Sequence, residues 1–169
     1  MTTFDLRHHG CRYAPEYPPH GHSDHLPMSW LALGALGAGA DRQRHFAERY
    51  LPRLAPFSPA DTHRHRVEVW GEAMTRRGVD TVLEERLPEL MSGWYREAYH
   101  PVIRLAYGRA FGVLEEAAAG LAYLESVGPC PRLATLAAQA RPDDPPATDG
   151  VLGALTGAVS RPAPSLSFR

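Results

Sequence analysis

The residues of this chain most able to do chemistry are its histidines, nine in 169 residues, and two of them occupy unusual positions. His25 opens HLPMSWLALGALGA and His100 opens HPVIRLAYGRAFGVLEEAAAGLAYLES, each at the N-terminal end of an apolar segment with helical spacing. Neutral imidazoles suit iron, copper or zinc, and open coordination positions suit oxygen chemistry. Two helix N-termini that converge also favour an anion between them, such as a phenolate or enolate. The alternative is that each imidazole caps its helix or is hydrogen-bonded within the core. Arg104, one turn beyond His100, falls on the same side, and a buried guanidinium needs an anionic partner. His8, His9, His20 and His22 crowd a Pro- and Gly-rich lead-in, as a solvated arm or as further metal ligands. His45, His63 and His65 read as surface or boundary residues.

These side chains must be positioned by helices. The run from Tyr99 to Gly128 has no clear breaker, because Pro101 falls in a first turn and Gly128-Pro129 supplies the stop. At about 100° per residue, His100, Arg104, Tyr107, Phe111, Leu114, Ala118 and Ala122 share one side. Ile103, Ala110, Leu121 and Leu124 widen it, which predicts one long, central, buried helix. Ser23-Asp24 is an N-cap for the helix of His25, whose stripe of His25, Met28, Ala32 and Leu36 is predicted to face the interior. Asp41 caps a helix through Leu54. THRHRVEVW reads as a loop running into a short helix, and Asp80 caps the next helix, with a kink at Pro88. There is neither βαβ alternation nor an internal repeat. The expected fold is all-α, a compact bundle around the central helix. Residues 1–24 are expected to form an irregular lead-in, 25–128 the helical core, and 129–169 short helices, a Pro-rich linker and a mobile tail.

Composition excludes several function classes. A net charge of −1 gives no footprint for nucleic acid. Cys11 and Cys130 match no disulfide framework, so a reducing cytoplasm is expected. The N-terminus lacks an apolar signal core, and Trp30–Ala40 is well short of the roughly 20 residues that span a membrane. No dinucleotide fingerprint, Walker loop, H-E-x-x-H or G-x-S-x-G occurs. Cys11 lies near His8 and His9, but in a loop with neither a rigid scaffold nor an oxyanion site.

HSDHLPMSWLALGALGA resembles the N-H-x-x-M/H…A-L-x-x-L-G-A signature of the questin oxidase-like family. YHPVIRLAYGRAFGVLEEAAAGLAYLES resembles that family's H-P/G-x-I-R-x-A-Y/G…A-L-A-Y segment. The likeness covers roughly residues 20–128, the N-terminal half of the family pattern. It implies an oxygen-dependent oxidoreductase acting on polyketide-derived aromatics, with anthraquinone ring cleavage as the best-known reaction. The family chemistry is Baeyer–Villiger-like oxygen insertion with reduced nicotinamide (NADPH), or non-haem iron dioxygenation on several histidines and a modified lysine. His25 matches the signature histidine, His100 that of the H-P segment, and Arg104 the I-R position.

Asp24 stands where the family commonly has Asn. Family members are longer, with their remaining ligands in a second half, and this sequence contains no lysine. Two imidazoles hold iron weakly, so His9, His22 or a second chain is expected to complete the site if it is active. In this reading Arg104 holds an anionic oxygen of the substrate. Tyr107 orients it or donates a proton, and Trp30, Trp94 and Phe111 line an aromatic pocket, although Tyr107 and Phe111 also suit a plain core. The alternative function is a non-catalytic half-domain or accessory protein that dimerises, docks on a complementing partner chain, or binds a polyketide without turnover.

Overall fold

Residues 116 to 124 form an unbroken buried run, and the rest of the chain packs around the helix that contains them. A computed structural model describes residues 4–19, 21–57, 61–133 and 135. The fold is all-α. Helices α1 (Leu6–Arg12), α2 (Leu26–Ala35), α3 (Ala40–Tyr50), α4 (Thr62–Arg77), α5 (Val79–Leu90), α6 (His100–Ala110) and α7 (Leu114–Val127) follow one another. A two-stranded antiparallel pair, β1 (Glu16–Tyr17) and β2 (His22–Ser23), lies between α1 and α2. The expected linker and tail beyond residue 135 lie outside the described residues.

The single central helix is instead two. Gly112 sits at φ +65°, a left-handed conformation that glycine adopts without penalty, and it ends α6 and reverses the chain into α7. The apolar arc expected for one helix is therefore divided between two antiparallel neighbours. They approach closely because Gly108 lies against the backbone of Ala117 and Gly120 against that of Leu105; a Cβ at either would come within 2.2–2.4 Å of main-chain atoms. On α6 the buried side is Pro101, Arg104, Leu105 and Gly108.

Further expectations change, among them the caps of α3 and α5, where Gly39 and Gly78 stand and Asp41 and Asp80 lie inside the first turns. The lead-in is not irregular throughout: Asp5 accepts a hydrogen bond from Arg7 N and caps α1, which buries His9 and Gly10. THRHRVEVW is the first half of a sixteen-residue helix, α4, capped by Asp61, and its inward positions His63, Val67, Ala73 and Met74 keep helical spacing. His63 is thus buried, whereas His65 and His45 are exposed. On α2 the inward residues are Leu26, Pro27, Met28 and Leu31, while His25 is exposed and Leu36 is 76% exposed. Packing of Leu26 with Ala47 and Leu54 sets this rotation. Among the described residues no helix is long and apolar enough to cross a membrane.

Candidate metal centre

Asp24 begins the site by ordering the start of α2. Its Oδ1 accepts a hydrogen bond from Leu26 N at 2.9 Å, while its Oδ2 lies 2.5 Å from Nε2 of His9. Both side chains are essentially inaccessible to solvent. Burial alone would raise the Asp24 carboxyl, but the hydrogen bond and charge of His9, with Arg104 nearby, hold it below the ordinary carboxylate value. The next residue, His25, donates its backbone N–H to the Tyr50 hydroxyl at 3.1 Å. Its ring Nδ1 lies 2.7 Å from the carbonyl oxygen of Ser23.

His100 is placed by a different device. Glu97, Ala98 and Tyr99 have φ of 49°, 49° and 68°, a left-handed turn built without glycine. Such a conformation costs roughly 1–2 kcal/mol per residue. The turn brings the Glu97 carbonyl oxygen within 2.6 Å of His100 Nδ1. The Tyr99 ring leans on Trp94, with centroids 5.2 Å apart.

A carbonyl oxygen can only accept, so Nδ1 of both imidazoles carries the proton and each neutral ring keeps its lone pair on Nε2. Those two Nε2 atoms face each other at 2.7 Å, with the rings nearly perpendicular at 89°. Two lone pairs at this distance repel unless a proton is shared between them; a tetrahedral metal bonded to both at about 2.1 Å would hold them roughly 3.4 Å apart. The other half of the arrangement is what metal-binding histidines use, in which the second ring nitrogen is fixed by a backbone carbonyl. By donor type the pair suits a borderline metal such as iron or zinc, and the two rings would have to part by about half an ångström or more to ligate one.

The other expected site residues lie elsewhere. Arg104 does not face the imidazole pair. It is buried, with Nε 2.8 Å from Oε2 and Nη2 3.1 Å from Oε1 of Glu116, so its anionic partner comes from the chain itself. Burial would lower the guanidinium's affinity for its proton; the Glu116 carboxylate more than restores it. His9 is held by Asp24 and packed between the rings of Phe4 and Tyr13. His22 is exposed on β2 beside Tyr17. Among the described residues no third His, Cys, Asp or Glu joins His25 and His100 in a metal-sized group.

Tyr107 stacks on Phe111, Trp30 packs on Phe4 and Trp94 on Tyr99, so the aromatic residues form separate pairs rather than one pocket. Three surface clefts of about 450, 410 and 600 Å³ open elsewhere; Trp30 lines the last, and none of the three is lined by His25 or His100. Sequence reasoning missed the buried polar groups behind the pair: Asp24 as partner of His9, Glu116 as partner of Arg104, and Tyr123, whose hydroxyl donates to Glu16 Oε1 at 2.6 Å. The adjacency of Asp24 to His25, and a Glu at the head of an alanine-rich run, were the available signals.

Comparison of the chain with family models, curated proteins and solved structures returned no match in any of the three.

Proposed function

We propose that this chain is an oxygen-dependent oxidoreductase of the questin oxidase-like type, acting on a polyketide-derived aromatic, with non-haem iron held by His25 and His100. One observation carries the proposal: two imidazoles from distant parts of the chain, each fixed through Nδ1 by a backbone carbonyl, present facing Nε2 lone pairs. Bound iron would supply oxygen activation, with reduced nicotinamide as an electron source where the reaction needs one.

The chain's own residues supply position. Ser23 and Glu97 fix the ring tautomers, and Tyr50 holds the backbone of His25. Arg104 is a positioning residue: four places beyond His100, it ties α6 to α7 through Glu116 and does not touch a substrate. The exposed ring of Tyr99, adjacent to His100 in the chain, offers a planar aromatic substrate a surface there.

The test is iron per chain by elemental mass spectrometry on untagged protein, together with oxygen uptake in the presence of an anthraquinone. Iron in a fixed ratio to chain, lost in His25→Ala and in His100→Ala with helical circular dichroism retained, is the expected result. No bound metal after anaerobic iron loading overturns it. The second reading, a domain that binds such a compound without turnover, is favoured by the exposure of the α6 face. It gives anthraquinone binding with no oxygen uptake.

A further inference from the structure

The three clefts differ in charge. The one of about 450 Å³ carries Glu68, Glu72 and Glu115 on its walls, and the one of about 600 Å³ carries Asp5 and Glu115. The cleft of about 410 Å³ is lined by no carboxylate, and its charged walls are Arg12 and Arg64. Arg12 is exposed and forms no ion pair among the described residues. Arg64 donates its Nε to Glu68 at 3.1 Å, which orients the guanidinium and leaves its two terminal nitrogens uncommitted. His8 also lines the cleft, with Nδ1 held by Asp5 at 2.6 Å.

Tyr13 and Phe57 give this cleft its aromatic surface. Each ring packs on a buried histidine: His9 lies 5.0 Å from Tyr13, and His63 stacks on Phe57 at 5.5 Å. The main chain ties the two sides together. Phe57 N donates to Arg12 O at 2.9 Å, Ala14 N to Ala55 O at 2.9 Å, and Tyr13 pairs with Pro56. The walls are thus set before a ligand arrives, which lowers the ordering cost of binding.

We infer that this cleft binds a planar aromatic carboxylate, its ring against Tyr13 and Phe57 and its carboxylate on the guanidinium groups of Arg12 and Arg64. The site is separate from the imidazole pair and does not depend on the metal-centre reading. A guanidinium meets a carboxylate through two parallel N–H donors, a geometry that favours it over a spherical anion. Aromatic walls add ring contacts that a saturated ring lacks. The volume lies within the roughly 300–1,000 Å³ of small-molecule sites. Cys11 lines the cleft too; burial, and then the charge of Glu68, raise its thiol above the ordinary value, so it stays protonated and does not compete with an anion.

The experiment uses the full chain carrying Cys130→Ser, which leaves Cys11 as the one thiol. Calorimetry measures binding of 2-naphthoate, and the rate of Cys11 alkylation by iodoacetamide locates it. One 2-naphthoate per chain, slowing alkylation at least fivefold at saturation, is expected. The uncharged 2-naphthamide and the saturated cyclohexanecarboxylate are each expected to bind at least tenfold more weakly. Arg12→Gln, which disturbs no ion pair, should weaken 2-naphthoate at least threefold, and Arg12→Gln/Arg64→Gln at least tenfold, both with helical circular dichroism retained. No binding of 2-naphthoate at millimolar concentration overturns the inference. Equal affinity for its amide, wild-type affinity in the double variant, or binding that leaves Cys11 alkylation unchanged overturns it as well.

Discussion

Arg104 and Glu116 face each other across the α6–α7 interface as a forked ion pair, with both side chains at most 2% exposed. Few links fix the height of one helix on another so strictly, because a planar guanidinium accepts a carboxylate in few orientations. His100 stands one turn from Arg104 on the same helix, so the pair also fixes where that imidazole sits. A buried ion pair contributes little net stability, but removing one member strands a charge. Glu116→Ala is therefore expected to destabilise the fold by about 3–5 kcal/mol, read as a fall in the urea midpoint. The double variant Arg104→Met/Glu116→Leu is expected to recover most of that loss. A single variant within about 1 kcal/mol of wild type would show that the pair is not held buried in solution.

His63 gives the fold an acid sensitivity. Burial, and then the charge of Arg104, depress its pKa to about 4; Asp61 opposes this weakly and Arg66 adds to it. The neutral ring lies 3.0 Å from Ser126 Oγ, stacks on Phe57 and meets Tyr123 edge-on. An unfolded histidine titrates near 6.5, so between about 6.5 and 4 the unfolded chain binds the extra proton. Stability from this group is complete above that window and falls as the pH drops through it, by roughly 3 kcal/mol in all. His63→Gln is expected to flatten that part of the stability–pH curve. Parallel curves for variant and wild type would count against a buried neutral His63.

The spacing between α6 and α7 has no room for a methyl group. At Gly120 a Cβ would lie 2.4 Å from Leu105 N, and at Gly108 2.2 Å from Ala117 N, both main-chain atoms that cannot rotate away. Gly120→Ala is expected to lower stability by at least about 1–3 kcal/mol despite alanine's higher helix propensity. Because α6 must move outward, it should also weaken metal binding. Thermal melting and cobalt titration of the same sample check both effects. An unchanged or raised Tm would mean that the helices stand further apart than described.

Local signals in the sequence were legible because they act locally. Asp24 orders the start of α2, the helix beginning at Val79 contains Pro88, and the N-terminal placement of His25 and His100 allowed their convergence to be anticipated. Periodicity could not locate the turn at Gly112, because two antiparallel helices that bury their shared faces show the same apolar arc as one longer helix. Without that turn Glu116 reads as a remote, outward residue, and the anionic partner of Arg104 could as well come from a substrate. His63 was obscured differently. The polar run Thr62–Arg66 shows no apolar stripe and reads as a loop until the window reaches Val67 and Met74.

The left-handed turn before His100 stores strain that a glycine would release. Ala98 has φ 49° and is exposed, so its Cβ opposes the native conformation without a packing contribution from burial. Ala98→Gly removes the steric cost of roughly 1–2 kcal/mol, against the greater freedom glycine gives the unfolded chain, about 0.5–1 kcal/mol. The net expectation is a gain of up to about 1 kcal/mol, seen as a higher urea midpoint. Ala98→Val should act in the opposite sense, since a branched Cβ tolerates this region least. The two variants also separate strain from function. If the turn serves to hold the Glu97 carbonyl on His100 Nδ1, Ala98→Gly should keep cobalt affinity, because the hydrogen bond survives in the relaxed backbone. Ala98→Val should lose affinity together with stability. A stabilised Ala98→Gly that no longer binds cobalt would mean that the strained conformation itself, rather than the carbonyl contact it creates, orients the imidazole.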